Sequence, residues 1–187
     1  MIEIAKSNSD RLLLIVNDIL DTQKIQSGTM DYQLQPLDLL PALKSSIAVN
    51  QALGSSKNTP FKLVNGLPGV KINADPQKFQ QVLANLLSNA AKFSPNGNTV
   101  EVFASRENGM IRTTVQDYGP GIPPEFQDRV FDKFSQTDGS NSRATSGTGL
   151  GLNIAKMIVE GMGGDIGFVS RSGEGCAFYF DLPEVKA

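Results

Sequence analysis

Between Asp75 and Ser94, Phe79, Val82, Leu83, Leu86, Leu87 and Ala90 fall at i, i+3, i+4, i+7, i+8 and i+11. That is the period of a helix with one apolar face, and no strand can carry it. Asp75 suits the N-cap, Pro76 suits the first turn, and Ser94-Pro-Asn-Gly97 ends the element. A helix this apolar on one side must lie on a second layer, so the chain has to fold into at least two.

The segments around this helix supply the other layer. Phe61–Val64, Val70–Ile72, Thr99–Ala104, Ile111–Gln116, Ile166–Ser170 and Cys176–Leu182 read as strands, with Met30–Leu34 as a further one. A turn at Glu107-Asn-Gly109 joins two of them, and the last two form a hairpin. A helix capped by Asp38 and entered through Pro41 is expected to reach about Leu53, followed by a turn from Gly54 to Pro60. Leu150 to about Met162 is helical, and residues 119–147 are loop-rich with a short helix near Pro124–Phe131. The expected fold is an α/β (α+β) two-layer sandwich: one mixed sheet with helices packed on one face. A long helix over residues 2–27 precedes it, carrying Leu12, Ile15, Val16, Ile19 and Leu20 as one stripe. That stripe needs a neighbouring helix, the rest of the domain or a second copy of the chain to cover it. The chain is thus expected to divide into an appendage, 1–27, and a domain, 28–187.

Composition removes several classes of function. A net charge of −2 gives no electrostatic case for nucleic acid or an anionic membrane. The densest apolar run, Leu12–Val16, is far too short for a membrane span, and the first residues do not read as a signal peptide. Cys176 is the single cysteine and there is no histidine, which excludes an internal disulfide and a zinc cluster. A reducing, cytoplasmic setting is expected.

Four short boxes carry the chemistry. Asn85, Asn89 and Lys92 sit at i, i+4 and i+7 of the 76–93 helix, which puts two amides and a cation on one face. An amide carbonyl is a hard oxygen ligand suited to Mg²⁺ held together with phosphates, and Lys92 would neutralise phosphate charge; a solvated helix face is the plainer alternative. Asp117 ends a strand above Gly119-Pro-Gly121-Ile122. A carboxylate there can accept a hydrogen bond from an adenine amino group, while the glycines let the base approach the backbone; an ordinary Asp-Gly turn is the alternative. Phe131-Asp-Lys-Phe134 is the third box. In the fourth, Gly147, Thr148, Gly149, Leu150, Gly151 and Leu152 open a helix, and glycine-rich backbone at a helix N-terminus is an anion site. The stretch Ser135–Ser146 has almost no apolar anchor and is expected to act as a lid, with Arg143 either reaching phosphates or lying solvated on the surface.

In box identity, order and spacing, residues 28–183 resemble the ATP-binding catalytic domain of sensor histidine kinases, within the wider gyrase, heat-shock chaperone, histidine kinase and MutL superfamily. The resemblance implies a Bergerat-type fold, Mg²⁺–ATP binding and transfer of the γ-phosphate to a histidine. It implies Asn89 as the main Mg²⁺ ligand with Asn85 assisting, Asp117 on adenine and Lys92 on phosphate. Ser172-Gly-Glu-Gly175 and Phe178–Pro183 resemble the end of that domain. Arg11–Leu20 through Met30 resembles the second helix of the dimerisation hairpin, with the helix bearing the phosphorylated histidine absent. The implied context is a longer receptor, homodimeric when whole, passing phosphate to the aspartate of a response-regulator receiver domain.

Other functions share the fold. ATPases of the gyrase or MutL kind place a glutamate where Asn85 stands, and an amide cannot act as a general base at neutral pH. A serine kinase of the anti-sigma type, or a non-catalytic module that docks through residues 2–27, are the remaining readings.

Overall fold

The computed structural model describes residues 2–56, 58–135 and 149–186. Helix α1 (Ile2–Gln26) leads through an irregular connector to β1 (Gln35–Asp38) and α2 (Leu39–Ser56). Then follow β2 (Phe61–Asn65), β3 (Lys71–Ala74), α3 (Pro76–Phe93), β4 (Val100–Glu107) and β5 (Met110–Asp117). The short α4 (Pro124–Gln127), α5 (Gly151–Gly161), β6 (Asp165–Arg171) and β7 (Gly175–Pro183) complete the described elements.

Five strands form one mixed sheet in the order β2-β4-β5-β7-β6, parallel only between β2 and β4. Period-two alternation builds its inner face. The register aligns Val102, Val115, Phe178 and Phe168 in one row and Ala104, Thr113, Phe180 and Ile166 in the next. On this face lies α3, with Phe79, Val82, Leu83, Leu86 and Leu87 fully buried. Phe79 meets Phe180 edge to face at 5.7 Å between ring centroids, a geometry favoured by the ring quadrupoles. Flanking α3 are α2, burying Leu39 and Leu43, and α5, burying Ile154, Ala155, Ile158 and Val159. On the opposite face, Arg112 forms a bidentate pair with Asp181 (2.8 and 2.7 Å) and stacks 3.8 Å from the centre of the Tyr179 ring. The expected two-layer sandwich is therefore present, and α1 precedes it.

Helix α3 begins and ends where the sequence pattern put it, at Pro76 and Phe93. Asp75 caps it: one carboxylate oxygen accepts the Gln77 and Lys78 N–H groups at 2.9 and 3.1 Å. The other oxygen accepts the Gln33 N–H at 3.0 Å. That second bond accounts for one departure from expectation. No strand forms over Met30–Leu34, because this connector is spent tying α1 to the sandwich. Besides the Gln33 bond, the Tyr32 ring packs on Gly161, and its hydroxyl donates to the Met157 carbonyl at 3.5 Å. Pairing starts at Gln35, where β1 joins β3 in a separate two-stranded ribbon. The expected single sheet is thus two. The turn expected from Gly54 is also shortened, since α2 runs on to Ser56. Gly54 lies inside the helix, and glycine is needed there because a Cβ would stand 2.6 Å from the Thr59 carbonyl oxygen.

The apolar stripe of α1 is not covered by the sandwich. Leu12, Leu13, Val16, Ile19 and Leu20 are exposed, while Thr22 and Ile25 near its end are packed inward. Among the described residues no helix is long and apolar enough to cross a membrane.

Two substitutions test this packing. Phe79→Ala leaves a cavity under Phe180 and is expected to cost about 3–5 kcal/mol in denaturant unfolding. Asp75→Ala removes the cap and the Gln33 tie together and is expected to cost about 1–2 kcal/mol by the same measurement.

Candidate nucleotide site

The buried stripe of α3 fixes which way its polar face points. With Leu86, Leu87 and Ala90 in the core, Asn85, Asn89 and Lys92 lie half-buried along the helix edge beside α5. Asn85 Nδ2 donates to the Gly151 carbonyl at 3.0 Å. This bond couples α3 to the first turn of α5 and turns the Asn85 amide toward the fourth box. Lys92 Nζ stands 4.8 Å from the centre of the Phe93 ring, and burial holds its pKa below the usual lysine value. A buried cation of this kind gains from any anion that comes within reach.

At the C-terminal end of α3, beyond Lys92, β5 delivers Asp117. Its carboxylate accepts the Gly119 N–H at 2.9 Å and the backbone N–H of Cys176, its cross-strand partner. Burial raises the Asp117 pKa, and these two bonds oppose the rise. The ionised carboxylate therefore costs folding stability above its raised pKa, and that cost is relieved as pH falls through it. Glycine is required at both ends of the turn that follows. A Cβ on Gly119 would stand 2.6 Å from the Phe93 carbonyl oxygen, and Gly121 adopts φ +76 against the Arg171 carbonyl. Gly119 therefore sets Asp117 beside the C-terminal end of α3. Ile122 follows with its N–H on Ser170 Oγ at 2.8 Å and its side chain against the core. Tyr118 alternates outward, 45% exposed, and donates to Glu101 Oε2 at 2.8 Å.

The third and fourth boxes meet at one joint. The Phe134 N–H donates to the Gly149 carbonyl at 3.0 Å, and Asn153 Nδ2 donates to the Phe131 carbonyl at 2.8 Å. The two phenylalanines do different things. Phe131 packs in an aromatic cluster with Phe168 and Phe178, at 6.1 and 6.2 Å between centroids. Phe134 is 68% exposed at φ +58, so its backbone rather than its ring builds the joint. Leu150 is buried and Leu152 packs on the core. Helix α5 opens at Leu150 with no side-chain cap hydrogen bond, and a helix N-terminus of this kind suits an anion. Arg143, Gly147 and Thr148 lie outside the described residues.

The structure thus brings Asn85, Asn89, Lys92, Asp117, Gly119, Gly121, Ile122 and Gly149 to Leu152 to one side of the sandwich. Three contributors were not found from sequence. Asn153 ties the third box, Ser170 holds the Ile122 turn, and Cys176 supports Asp117 through its backbone. Each acts across strand register or loop closure, and no spacing rule marks it.

With this geometry in view, comparisons with known proteins are consistent. Residues 74–186 match the family model described as "Histidine kinase-, DNA gyrase B-, and HSP90-like ATPase". The sensor protein GacS of Pseudomonas syringae pv. syringae is 36% identical over 97% of this chain and 21% of its own length. The signal transduction histidine-protein kinase BarA of Escherichia coli strain K12 is 36% identical over 94% of this chain and 20% of its own. The chain therefore spans about a fifth of the length of these curated relatives. The crystal structure of full-length ShkA in complex with AMPPNP superposes with a TM-score of 0.84, at 31% identity, over 97% of this chain and 37% of that one. More than half of the chain matches the family model, over the residues that build the site, and the chain belongs to the histidine kinase-, DNA gyrase B- and HSP90-like ATPase family.

Proposed function

We propose that this chain is the catalytic, ATP-binding unit of a two-component sensor histidine kinase. It binds Mg²⁺–ATP and passes the γ-phosphate to a histidine that lies outside this sequence, for relay to a response-regulator aspartate. The observation that carries the reading is the run of Asn85, Asn89 and Lys92 along α3, between Asp117 and Gly119 at one end and the α5 N-terminus at the other. ShkA, of like fold, binds an ATP analogue.

In this reading Asp117 accepts the adenine amino group and Gly119 and Gly121 admit the base. Lys92 neutralises phosphate charge, the backbone N–H groups of Gly149, Gly151 and Leu152 donate hydrogen bonds to the phosphates, Thr148 is read as a further hydrogen-bonding contact and Arg143 as a further cation. The side-chain oxygen of Asn89 would hold Mg²⁺, with Asn85 assisting from its place on Gly151. Such an ion supplies charge neutralisation at the phosphates being transferred. The donor set fits: among the described residues no cluster of three His, Cys, Asp or Glu stands ready to bind metal alone, and amide oxygens completed by phosphate suit a Mg²⁺ that arrives with its nucleotide. Ile122 and Phe131 wall the site from the core side, and Phe134 sets the root of the segment that would close it.

Hydrolysis is disfavoured, since Asn85 cannot take a proton from water and its amide is already engaged with Gly151. Residues 1–27 are read as part of the dimerisation hairpin and 28–187 as the catalytic domain. The exposed stripe of α1 supports a homodimer in the whole protein. A site of this kind, fed by ATP, supports reading this unit as cytoplasmic.

Isothermal titration with Mg²⁺–AMPPNP tests the site. Asp117→Ala is expected to weaken binding at least about tenfold, the loss of a charge-assisted bond, and Asn89→Ala to lower the Mg²⁺-dependent part of the affinity. Equal binding by both variants and the unaltered chain would sink the assignment. Affinity should also fall at both pH extremes. Acid protonates Asp117 through its raised pKa and removes the acceptor; alkali discharges Lys92 through its lowered pKa and removes the cation. With γ-labelled ATP the chain alone, lacking histidine, should take up no acid-labile label, and adding a histidine-bearing hairpin of a related kinase should restore it.

A further inference from the structure

Helix α1 packs Thr22 and Ile25 inward near its C-terminal end and adds a polar seam to α3. Asp21, near its C-terminal end, accepts Gln81 Nε2 at 2.7 Å and stands 3.9 Å from Lys78 Nζ. Lys78 Nζ in turn donates to Gln81 Oε1 at 3.2 Å. The Asp21 and Lys78 side chains are only 21% and 19% exposed.

This seam is continuous with the nucleotide site. Lys78, Gln81, Asn85, Asn89 and Lys92 follow one another on α3 at steps of three, four, four and three, so they share one face. At 1.5 Å rise per residue, Gln81 lies about 6 Å along the axis from Asn85. The direction of a bound nucleotide follows from the same geometry. Gly119 presses against the Phe93 carbonyl, so the Asp117 end of the site is the C-terminal end of α3. A nucleotide with its base on Asp117 lays its phosphates back past Asn89 to Asn85. Its terminal phosphate then ends closest to Asp21 and Lys78.

We propose that Asp21, a residue outside the nucleotide domain proper, is a specificity-determining residue that senses the terminal phosphate. The proposal rests on the nucleotide reading above. With α1 docked, the Asp21 carboxylate opposes a third phosphate by like-charge repulsion, and Lys78 has two anionic claimants. A triphosphate draws Lys78 away from Asp21 and loosens α1 from α3; a diphosphate, ending short of the seam, does not. The polar seam between α1 and α3, one ion pair and one hydrogen bond, is weak enough to be released in this way, while Thr22 and Ile25 keep α1 attached. The coupling is reciprocal: whatever loosens α1 must favour the triphosphate by the same factor.

The test is calorimetric titration of the 187-residue chain with Mg²⁺–AMPPNP and with Mg²⁺–ADP, beside Asp21→Asn, which keeps the shape and the Gln81 contact. Asp21→Asn should tighten AMPPNP about fivefold at low salt, leave ADP within about twofold, and lose the difference at high salt. Amide hydrogen exchange over residues 18–26 should be faster with AMPPNP than with ADP in the unaltered chain. Gln81→Glu, which sets a second carboxylate against Asp21, should give the fast exchange with no nucleotide added. Equal shifts for both nucleotides, or α1 exchange blind to the third phosphate, would overturn the proposal while leaving the nucleotide site standing. A chain that binds neither nucleotide would overturn both.

Discussion

The burial of one face of α3 against the five-stranded sheet is the constraint on which the molecule depends. Phe79, Val82, Leu83, Leu86 and Leu87 have no solvent exposure, so the helix cannot roll about its axis without drawing apolar surface into water. With rotation fixed by the core, every residue on the opposite edge has a fixed azimuth: Lys78, Gln81, Asn85, Asn89 and Lys92 project as one polar ladder. Sliding along the axis is fixed as well. Asp75 caps the first turn and ties it to the connector through Gln33, and Asn85 bonds to Gly151.

Several groups in the site sit where folding alone would not put them. Burial works against the ionised form of Asp117 and against the charged form of Lys92. Phe134 holds a left-handed backbone with its ring in water, a combination that costs on the order of 1 kcal/mol in strain. These local costs are carried by the core beneath, and they fall on residues that a bound anion or base would relieve. Stability is concentrated between α3 and the sheet, and the binding chemistry is placed at its edges.

How far the sequence disclosed this depends on the range of each interaction. Helix α3 was legible to its terminal residues because its signals are local: an apolar period, a cap and a terminator. The positions of the four boxes were legible because each is a short local motif, although the contacts between them, such as Asn85 to Gly151, span distant parts of the chain. Asn153, Ser170 and Cys176 were not, since their roles exist only once β7 pairs with β5 and the third box closes onto α5. The connector after α1 was misread for a related reason. Its residues have strand character, but the Gln33 N–H is taken by Asp75, 42 positions away, and propensity yields to tertiary context there. Phe134 fits the expected box by position, and it is its amide, bonded to Gly149, rather than its exposed ring that makes the contact.

The chemistry of Cys176 has a practical consequence. Its thiol is buried beside Asp117, and burial with that neighbouring charge pushes its pKa up to about 12. Against an exposed thiol near 8.5, the thiolate fraction at neutral pH falls by roughly three orders of magnitude. The one sulfhydryl in the sequence is therefore a poor nucleophile in the native state. A cysteine introduced on the exposed stripe of α1 would react with maleimide or spin-label reagents far ahead of it, so the native chain serves as its own thiol-silent background for spectroscopic labelling.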